Sequence, residues 1–495
     1  MRRLAPILFS LLLLFGLGVA SAQNLTMAAA AQPDTLDPQA TAATSAFAIT
    51  KSLYDTLAEM NQQGEIVPSL ASSWDISPDG LTYTFHLVKA TFSDGTAFDS
   101  QDVKASIERI QSKALASPKR GEFEPIAHIA TPDPRTVVLT LSKPDPALLA
   151  TLASGWGAIL PSQAIAAGHD FANHPDGTGP FRLGTWVRDS SITLIRNPDY
   201  FKGAPPLAQV TVRFVKDAAV QLQGLISGQF DVIDTVAAAD EPTVTKNPAL
   251  RLVKKPSGEV LVASINNRRP YLSDPRVRRA LNLAIDKQTI LNVAYGGGTP
   301  VGTFMEVGSP WLPASIKPFP YDPEQAKALL QQAGVPKNWT LNLVLPQPYP
   351  QHIKAGQMLQ AMLRQVGVNT KIKVVEWGVW LSTVYEGAHD FDLTVIGHTG
   401  KLDPSLRLSG YGDPKTNYIG YDNPTVVKEL AEAASATDPA TRKALYAKVL
   451  QARHDDAPFI YFGTPFTTYA ERKSVSGFWI TPLLDTFDFR TATVK

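Results

Sequence analysis

Residues 68–103 constrain the fold of this chain more than any other segment, because they combine a hairpin, a second tight turn and a helix start. Two strand-like runs flank the turn SPDG at residues 77–80, where proline presets one backbone angle and glycine permits a positive one. Apolar side chains alternate along residues 81–87, as in a strand with one buried face. Asp99 or Ser100 can then cap a helix. The segment predicts an antiparallel hairpin followed by a helix, with no group arranged for catalysis.

The first residues predict export from the cytoplasm. Arg2 and Arg3 precede an apolar run over residues 4–19, and small residues follow at 20–22, which is the pattern of a cleaved signal peptide over residues 1–22. A membrane anchor is the competing interpretation, but the run contains proline and glycine and is shorter than the ~20 residues of a typical spanning helix. No later stretch is apolar enough to span a bilayer, so we expect a soluble mature protein.

The composition narrows the possible functions. The chain has no cysteine, which excludes a disulfide framework and a lipidated cysteine after the signal peptide. Its 46 basic and 45 acidic residues nearly balance, so bulk charge predicts neither nucleic-acid binding nor a membrane-surface role. A length of 495 residues argues for more than one lobe.

The order of strand-like and helix-like segments predicts a mixed α/β fold. The first part of the chain has the pattern of an α/β core with a hairpin-rich insertion, and two β-α passes over residues 341–396 suggest a second α/β lobe. The expected divisions are a signal peptide at 1–22, lobe I at 23–46, 178–260 and 469–495, a subdomain inserted into lobe I at 47–177, and lobe II at 261–468.

Several strings of residues resemble those of the family 5 extracellular solute-binding proteins, the receptors of peptide, opine and nickel importers. They are residues 68–103, GTGPF at 177–181, NPDY at 197–200 and VRRALNLAIDK at 277–287. Residues 258–267 are similar to the family's first crossing from one lobe to the other. The resemblance implies a two-lobed periplasmic-binding-protein fold that closes about a hinge, in the manner of a Venus flytrap.

The resemblance also implies a function. It implies a periplasmic receptor that captures a solute and delivers it to the inner-membrane permease of an ABC importer, with no catalysis, cofactor or metal of its own. We expect a monomer whose partners are the permease and an oligopeptide-like or anionic small solute, and no nucleic acid. The alternatives are a nickel, haem, sugar or opine receptor of the same family, or a secreted hydrolase, although the strings HExxH, GxSxG and GxxxxGK[ST] are absent.

Two loops depart from the pattern of peptide-binding relatives. In those relatives an aspartate that holds the peptide's amino end follows a GW-T-G-like string, whereas here GHTG at residues 397–400 is followed by Lys401. Dipeptide binders hold the carboxylate end with an arginine, whereas here Gln347 is near that place and Tyr349 matches a tyrosine. A cation in place of an anion disfavours an ammonium group and favours a carboxylate or phosphate oxygen.

The predicted ligand-binding residues are polar groups of these loops and aromatic side chains near them. They are Gln347, Tyr349, Trp377, Trp380, His398, Thr399, Gly400, Lys401 and Arg407 in the second lobe, and Phe47 and Trp156 in the first. Each has an ordinary structural alternative: a loop lysine or a helix arginine is commonly exposed, and an aromatic side chain commonly packs in a core.

Overall fold

The computed structural model describes residues 23–41, 46–347, 349–481 and 486–495. The predicted signal peptide, residues 1–22, lies outside the described residues. Within the described ranges, none of the helices has both the length and the apolar character needed to cross a membrane.

The strands of the described residues are given in chain order. They are β1 (Gln23–Ala29), β2 (Ala58–Met60), β3 (Ile66–Pro68), β4 (Ala71–Ile76), β5 (Thr82–Leu87), β6 (Ile126–Asp133), β7 (Thr136–Leu141), β8 (Phe181–Val187), β9 (Ser191–Arg196), β10 (Leu207–Phe214), β11 (Val232–Ile233), β12 (Leu250–Pro256), β13 (Val260–Ile265), β14 (Gly298–Thr299), β15 (Thr340–Pro346), β16 (Asn369–Val375), β17 (Leu393–His398), β18 (Phe459–Arg472), β19 (Val475–Ser476), β20 (Trp479–Ile480), β21 (Phe487–Asp488) and β22 (Thr493–Val494).

The α-helices lie between these strands. They are α1 (Phe47–Thr50), α2 (Ser100–Gln111), α3 (Arg120–Phe123), α4 (Leu148–Ala153), α5 (Ser162–Ala166), α6 (Ala218–Ser227), α7 (Glu241–Lys246), α8 (Pro275–Leu283), α9 (Lys287–Tyr295), α10 (Pro323–Gln332), α11 (Pro350–Gln365), α12 (Trp377–Trp380), α13 (Pro404–Leu408), α14 (Pro424–Ser435) and α15 (Pro439–Asp456).

One long strand joins the two lobes of this α/β protein. The first part of β18 pairs with β13, and its second part pairs with β12 and β11. The sheet of lobe II has the order β16-β15-β17-β13, and that of lobe I continues from β18 through β11-β1-β10-β9-β8. Because β12 and β13 flank residues 257–259 and both pair with β18, the chain crosses between the lobes at two adjacent places. The first of these places overlaps the start of residues 258–267, the segment that is similar to the family's first crossing.

The buried strand β13 shows how lobe II is layered. Leu261 and Ala263 pack into one hydrophobic core, whereas Val260 and Val262 pack into another on the opposite face. All four side chains are fully buried. A strand covered on both faces is a continuous apolar run rather than an alternating one, which agrees with the sequence of this segment.

The predicted hairpin is confirmed and forms part of a separate sheet. β4 and β5 pair antiparallel, and the sheet has the order β4-β5-β7-β6. Phe85 is fully buried in the core of this insertion. The side chain of Asp99 accepts a hydrogen bond from the backbone N–H of Gln101, and Asp102 bonds back to the N–H of Asp99, so α2 begins with a capping box.

The β-α passes of lobe II are present. α11 begins at Pro350, which suits the first position of a helix because proline lacks the N–H that is unpaired there. Helix α12 begins at Trp377, because the carboxylate of Glu376 accepts hydrogen bonds from the backbone N–H groups of Gly378 and Val379. It continues as a π-helical turn, Leu381–Tyr385. β17 extends to His398, so the first two residues of the GHTG string lie in the strand and the loop begins at Thr399.

Candidate functional site

The loops after β15, β16 and β17 converge at one edge of the lobe II sheet. β15 runs parallel to both of its neighbours, so the carboxyl ends of the three strands lie together. Tyr349, Trp377 and Thr399 follow these ends, and residues 257–259 cross between the lobes beside them. Two adjoining cavities result, which we call the interlobe cleft and the lobe II chamber.

The interlobe cleft has a volume of about 580 Å³ and walls from both lobes. Lys119, Glu122 and Trp156 line its lobe I side, and Thr399 and Lys401 line its lobe II side. The cleft therefore has the position expected of a site that hinge closure would seal.

An aromatic ring and an ion pair form the lobe I wall. The indole Nε1 of Trp156 donates a hydrogen bond of 2.9 Å to the carbonyl oxygen of Thr41, which holds the ring in place. The Nζ of Lys119 lies 4.9 Å from the centroid of that ring and 2.5 Å from a carboxylate oxygen of Glu122. This wall offers an apolar face with one charge of each sign beside it.

Lys401 lies where the cleft and the chamber meet, because it lines both cavities. Burial and the positive charge of Lys119 lower the pKa of Lys401. The carboxylate of Glu122 acts in the opposite direction on this pKa, but less strongly than Lys119. A half-buried cation whose charge is disfavoured in this way is a ready binding group for an anion.

The structure corrects the predicted placement of Phe47 and Gln347. Phe47 is 1% exposed and packs edge-on against Trp156 at 4.6 Å, so it supports the wall instead of forming it. Gln347 is exposed after β15 and lines neither cavity. Gln351, one helical turn later, lines both.

Aromatic side chains build the lobe II chamber, which has a volume of about 930 Å³. The rings of Trp377 and Trp380 stack with 5.1 Å between centroids and 4° between planes, and Tyr385 continues the stack at 5.9 Å. Trp380 is buried, and its Nε1 donates a 2.9 Å hydrogen bond to the Oγ1 of Thr394. Tyr349 lies edge-on to Trp377. These rings form an aromatic wall within lobe II, and its contact with a solute stays a prediction.

Arg407 lines the chamber, but its donors are already in use. Its guanidinium pairs with Glu306 at 3.1 Å and donates hydrogen bonds to the carbonyl oxygens of Gly258 at 2.8 Å and Thr399 at 3.2 Å. The side chains of Arg407 and Glu306 are only 2% and 6% exposed. Arg407 is therefore not the surface residue that its place in a short helix suggested. It ties the GHTG loop to the crossing segment, and its contact with a solute stays a prediction.

His398 lies in the chamber wall as a neutral ring. Its Nε2 is 3.2 Å from the hydroxyl of Tyr418, and its ring is edge-on to Phe304 at 4.8 Å. Burial, together with the charges of Arg407 and Arg453, lowers the pKa of His398 to about 3. An uncharged imidazole can exchange hydrogen bonds with a solute without repelling a cation or attracting an anion.

The lowered pKa of His398 predicts a pH dependence of stability. Between pH 7 and pH 5 the unfolded chain protonates this histidine, whose unfolded pKa is about 6.5, while the folded chain does not. Stability is therefore lost as pH falls below that value. In His398→Gln we expect the loss between pH 7 and pH 5 to be smaller by about 1–2 kcal/mol, measured by urea unfolding at both values. The exposed His128→Gln serves as the control, and equal losses in all three proteins would contradict the prediction.

Several residues of the site were missed in the sequence. Glu259 lines both cavities, and a Cβ added at Gly397 would collide with its carboxylate, so a larger residue there would require the Glu259 side chain to move. Its position inside the predicted crossing could have indicated it. Tyr385 and Tyr418 line the chamber without any motif to mark them.

Comparison with known proteins identifies the family. The family model described as bacterial extracellular solute-binding proteins, family 5 Middle, matches residues 65–418. The chain belongs to this family. This match confirms the family that the sequence strings indicated. The similarity to solved structures confirms the two-lobed α/β fold.

Three proteins illustrate how similar this family 5 member is to others. The glutathione-binding protein GsiB of Salmonella paratyphi A is 30% identical over 489 residues, which cover 96% of this chain and 95% of that protein. A putative ABC transporter peptide-binding protein of Brucella ovis is 32% identical over 413 residues, covering 80% and 78%. The solved structure of HbpA2 from Haemophilus parasuis superposes with a TM-score of 0.86 at 26% identity, covering 95% of this chain and 100% of that one.

Proposed function

We propose that this family 5 protein is the periplasmic receptor of an ATP-driven importer. It captures a small solute in the interlobe cleft and presents the closed form to the membrane permease. Two observations support this function: the family membership, and the names of two relatives, one a putative peptide-binding protein of an ABC transporter and one a glutathione-binding protein. The solute is then a short peptide or a similar molecule.

Hinge closure is the mechanism that the crossing segments support. The lobes are joined through residues 257–259 and through the middle of β18, and bending at these two adjacent places would bring Trp156 towards Lys401. We propose that the moving bodies are those anticipated from the sequence, lobe I with its inserted subdomain and lobe II. Closure excludes water from the cleft, which strengthens each polar contact with the solute.

The half-buried Lys401 is the observation from which we infer the charge of the solute. It stands at the junction of the two cavities, and its pKa is lowered because burial and Lys119 both disfavour its charge. An anionic group of the solute would relieve this penalty by forming a charge-assisted hydrogen bond. The proposed solute therefore carries a carboxylate or phosphate that binds Lys401 in the closed form.

Replacing Lys401 by methionine tests this assignment. Native mass spectrometry of protein purified without refolding would first weigh any solute that co-purifies. We expect Lys401→Met to bind that solute, or glutathione as a defined probe with two carboxylates, about 10- to 100-fold more weakly, because a hydrogen bond to a charged group contributes about 1.5–3 kcal/mol. Isothermal titration calorimetry gives the affinities.

The exposed Lys443→Ala provides a matched loss of charge outside the cleft and should keep the affinity of the wild type. A co-purifying solute without any anionic group, or an unchanged affinity in Lys401→Met, would contradict the anionic solute. The receptor function itself would fail if no peptide-like or other small solute bound at all.

The metal-carrying and hydrolytic alternatives have less support. Among the described residues there is no group of three or more His, Asp or Glu side chains placed to hold a metal ion. Family 5 consists of solute-binding proteins, and this membership favours capture over turnover.

A further inference from the structure

Arg453 is a fully buried cation whose charge has no acidic partner. Its side chain is 0% exposed, and none of its guanidinium nitrogens has a hydrogen-bond acceptor among the described residues. Aromatic rings surround it instead. The guanidinium carbon lies 4.4 Å from the ring centroid of Tyr411 and 5.2 Å from that of Phe304. Rings can stabilise such a cation through their faces, but they do not neutralise it.

The charge of Arg453 acts on the lobe II chamber. Tyr411 and Phe304, which cover the guanidinium, are both part of the chamber wall. His398 belongs to the same wall, and Arg453 is one of the cations that lower its pKa. The chamber thus combines aromatic rings with polar and charged lining groups, among them Glu259, Glu386 and Lys401, and the charge of Arg453 lies behind a single layer of its rings.

We infer that the lobe II chamber is a second subsite, which takes a planar, aromatic group bearing a negative charge from the captured solute. The inference rests on the proposed function, because it deepens the description of that same site. Trp377, Trp380 and Tyr385 stack on one another in a column, and a planar group can extend this column by stacking on the outer ring of Trp377 or Tyr385. Arg453 supplies a positive charge that favours an anion, and its guanidinium has no hydrogen-bond partner among the described residues.

The size of the chamber agrees with this assignment. At about 930 Å³ it exceeds the interlobe cleft, which is about 580 Å³, so a solute that only filled the cleft would leave the larger space unused. Lys401 lines both cavities and can hold one anionic group at the junction. A solute with its polar end in the cleft and an aromatic acid in the chamber would contact both walls.

Three small probes separate the two properties of the chamber. Phenylacetate is aromatic and anionic, phenylacetamide is aromatic and neutral, and cyclohexylacetate is anionic and not planar. We expect phenylacetate to bind at least fivefold more tightly than either of the other two, by ligand-observed NMR titration. In Arg453→Met we expect the preference over phenylacetamide to fall below twofold, and in Trp377→Leu the preference over cyclohexylacetate to fall below twofold.

Arg364→Met removes an exposed arginine of the same lobe and should keep both preferences. Equal affinities of the wild type for the three probes would overturn the inference even if Arg453→Met did not fold. A charge preference that persists in a folded Arg453→Met would overturn the role of Arg453. Trp377 lines the chamber and not the interlobe cleft, and Arg453 lies behind the chamber's rings, so the effects of these two substitutions report on the chamber even if the importer function fails.

Discussion

Replacing Arg442 by alanine is expected to lower the free energy of unfolding by about 3–5 kcal/mol. Arg442 binds Asp403 through two hydrogen bonds of 2.6 and 2.7 Å, and the two side chains are 6% and 7% exposed. The substitution leaves the carboxylate of Asp403 buried without a cation. It also removes the packing of the guanidinium against the rings of Trp311 and Tyr446.

The effect should extend to the solute site, because Asp403 also caps α13. Its carboxylate accepts a hydrogen bond from the backbone N–H of Ser405. Asp403 itself lies only two residues after Lys401. Urea unfolding followed by circular dichroism gives the change in free energy. Asp403→Asn combined with Arg442→Met keeps the cap and removes both charges, so we expect it to recover at least half of the loss. Lys443→Ala, on the exposed face of the same helix, should change stability by less than about 0.5 kcal/mol.

Replacing Arg407 by methionine is expected to destabilise the protein by a similar amount, about 3–5 kcal/mol. Its partner Glu306 is almost fully buried, and burial raises the pKa of that carboxyl. Without Arg407 the carboxylate has to bind a proton or remain uncompensated, and the carbonyl oxygens of Gly258 and Thr399 lose their donor. The GHTG loop would then be held less firmly against the crossing segment.

A double variant separates bracing from direct solute binding. If Arg407 acts only as a brace, Arg407→Met with Glu306→Gln should regain at least about 2 kcal/mol of stability and bind the solute within threefold of the wild type. If Arg407 contacts the solute, the double variant should regain stability while its affinity remains at least tenfold weaker. Chemical unfolding and titration calorimetry on the same preparations distinguish the two results. A single variant as stable as the wild type would contradict the bracing role.

Local chemistry explains which parts of the fold were predictable. The hairpin of β4 and β5 and the start of α2 depend on residues within a few positions of one another, as at Asp99, whose cap involves Gln101 and Asp102. The ends of elements are harder to predict, as at α12, whose start is fixed by the side chain of Glu376. Local signals of this kind predict that a helix or strand is present, but they predict its first and last residues only approximately.

The candidate site was predictable in its loops and less so in its side chains. Trp377 follows β16, and His398 and Lys401 lie at and just beyond the end of β17. The carboxyl ends of these strands meet at one sheet edge, so their loops could be placed together from the sequence. Gln347 precedes α11, whereas Gln351 lies in its first turn because the helix begins at Pro350. Of the two, only Gln351 lines the cavities. A shift of a few residues at a helix start changes which side chain faces inward.

The sequence by itself determined the family, the mixed α/β fold and the loops in which a solute could be held, because these follow from strings of neighbouring residues and from hydrophobic periodicity. Only the tertiary structure decided that Arg407 is paired with Glu306, that Phe47 lies behind Trp156 and that Arg453 is buried among rings. Each of these depends on a partner many positions away in the chain. The pairing of distant strands such as β13 and β18 determines whether a charged side chain is exposed, paired or buried alone. Patterns of neighbouring residues do not predict this pairing.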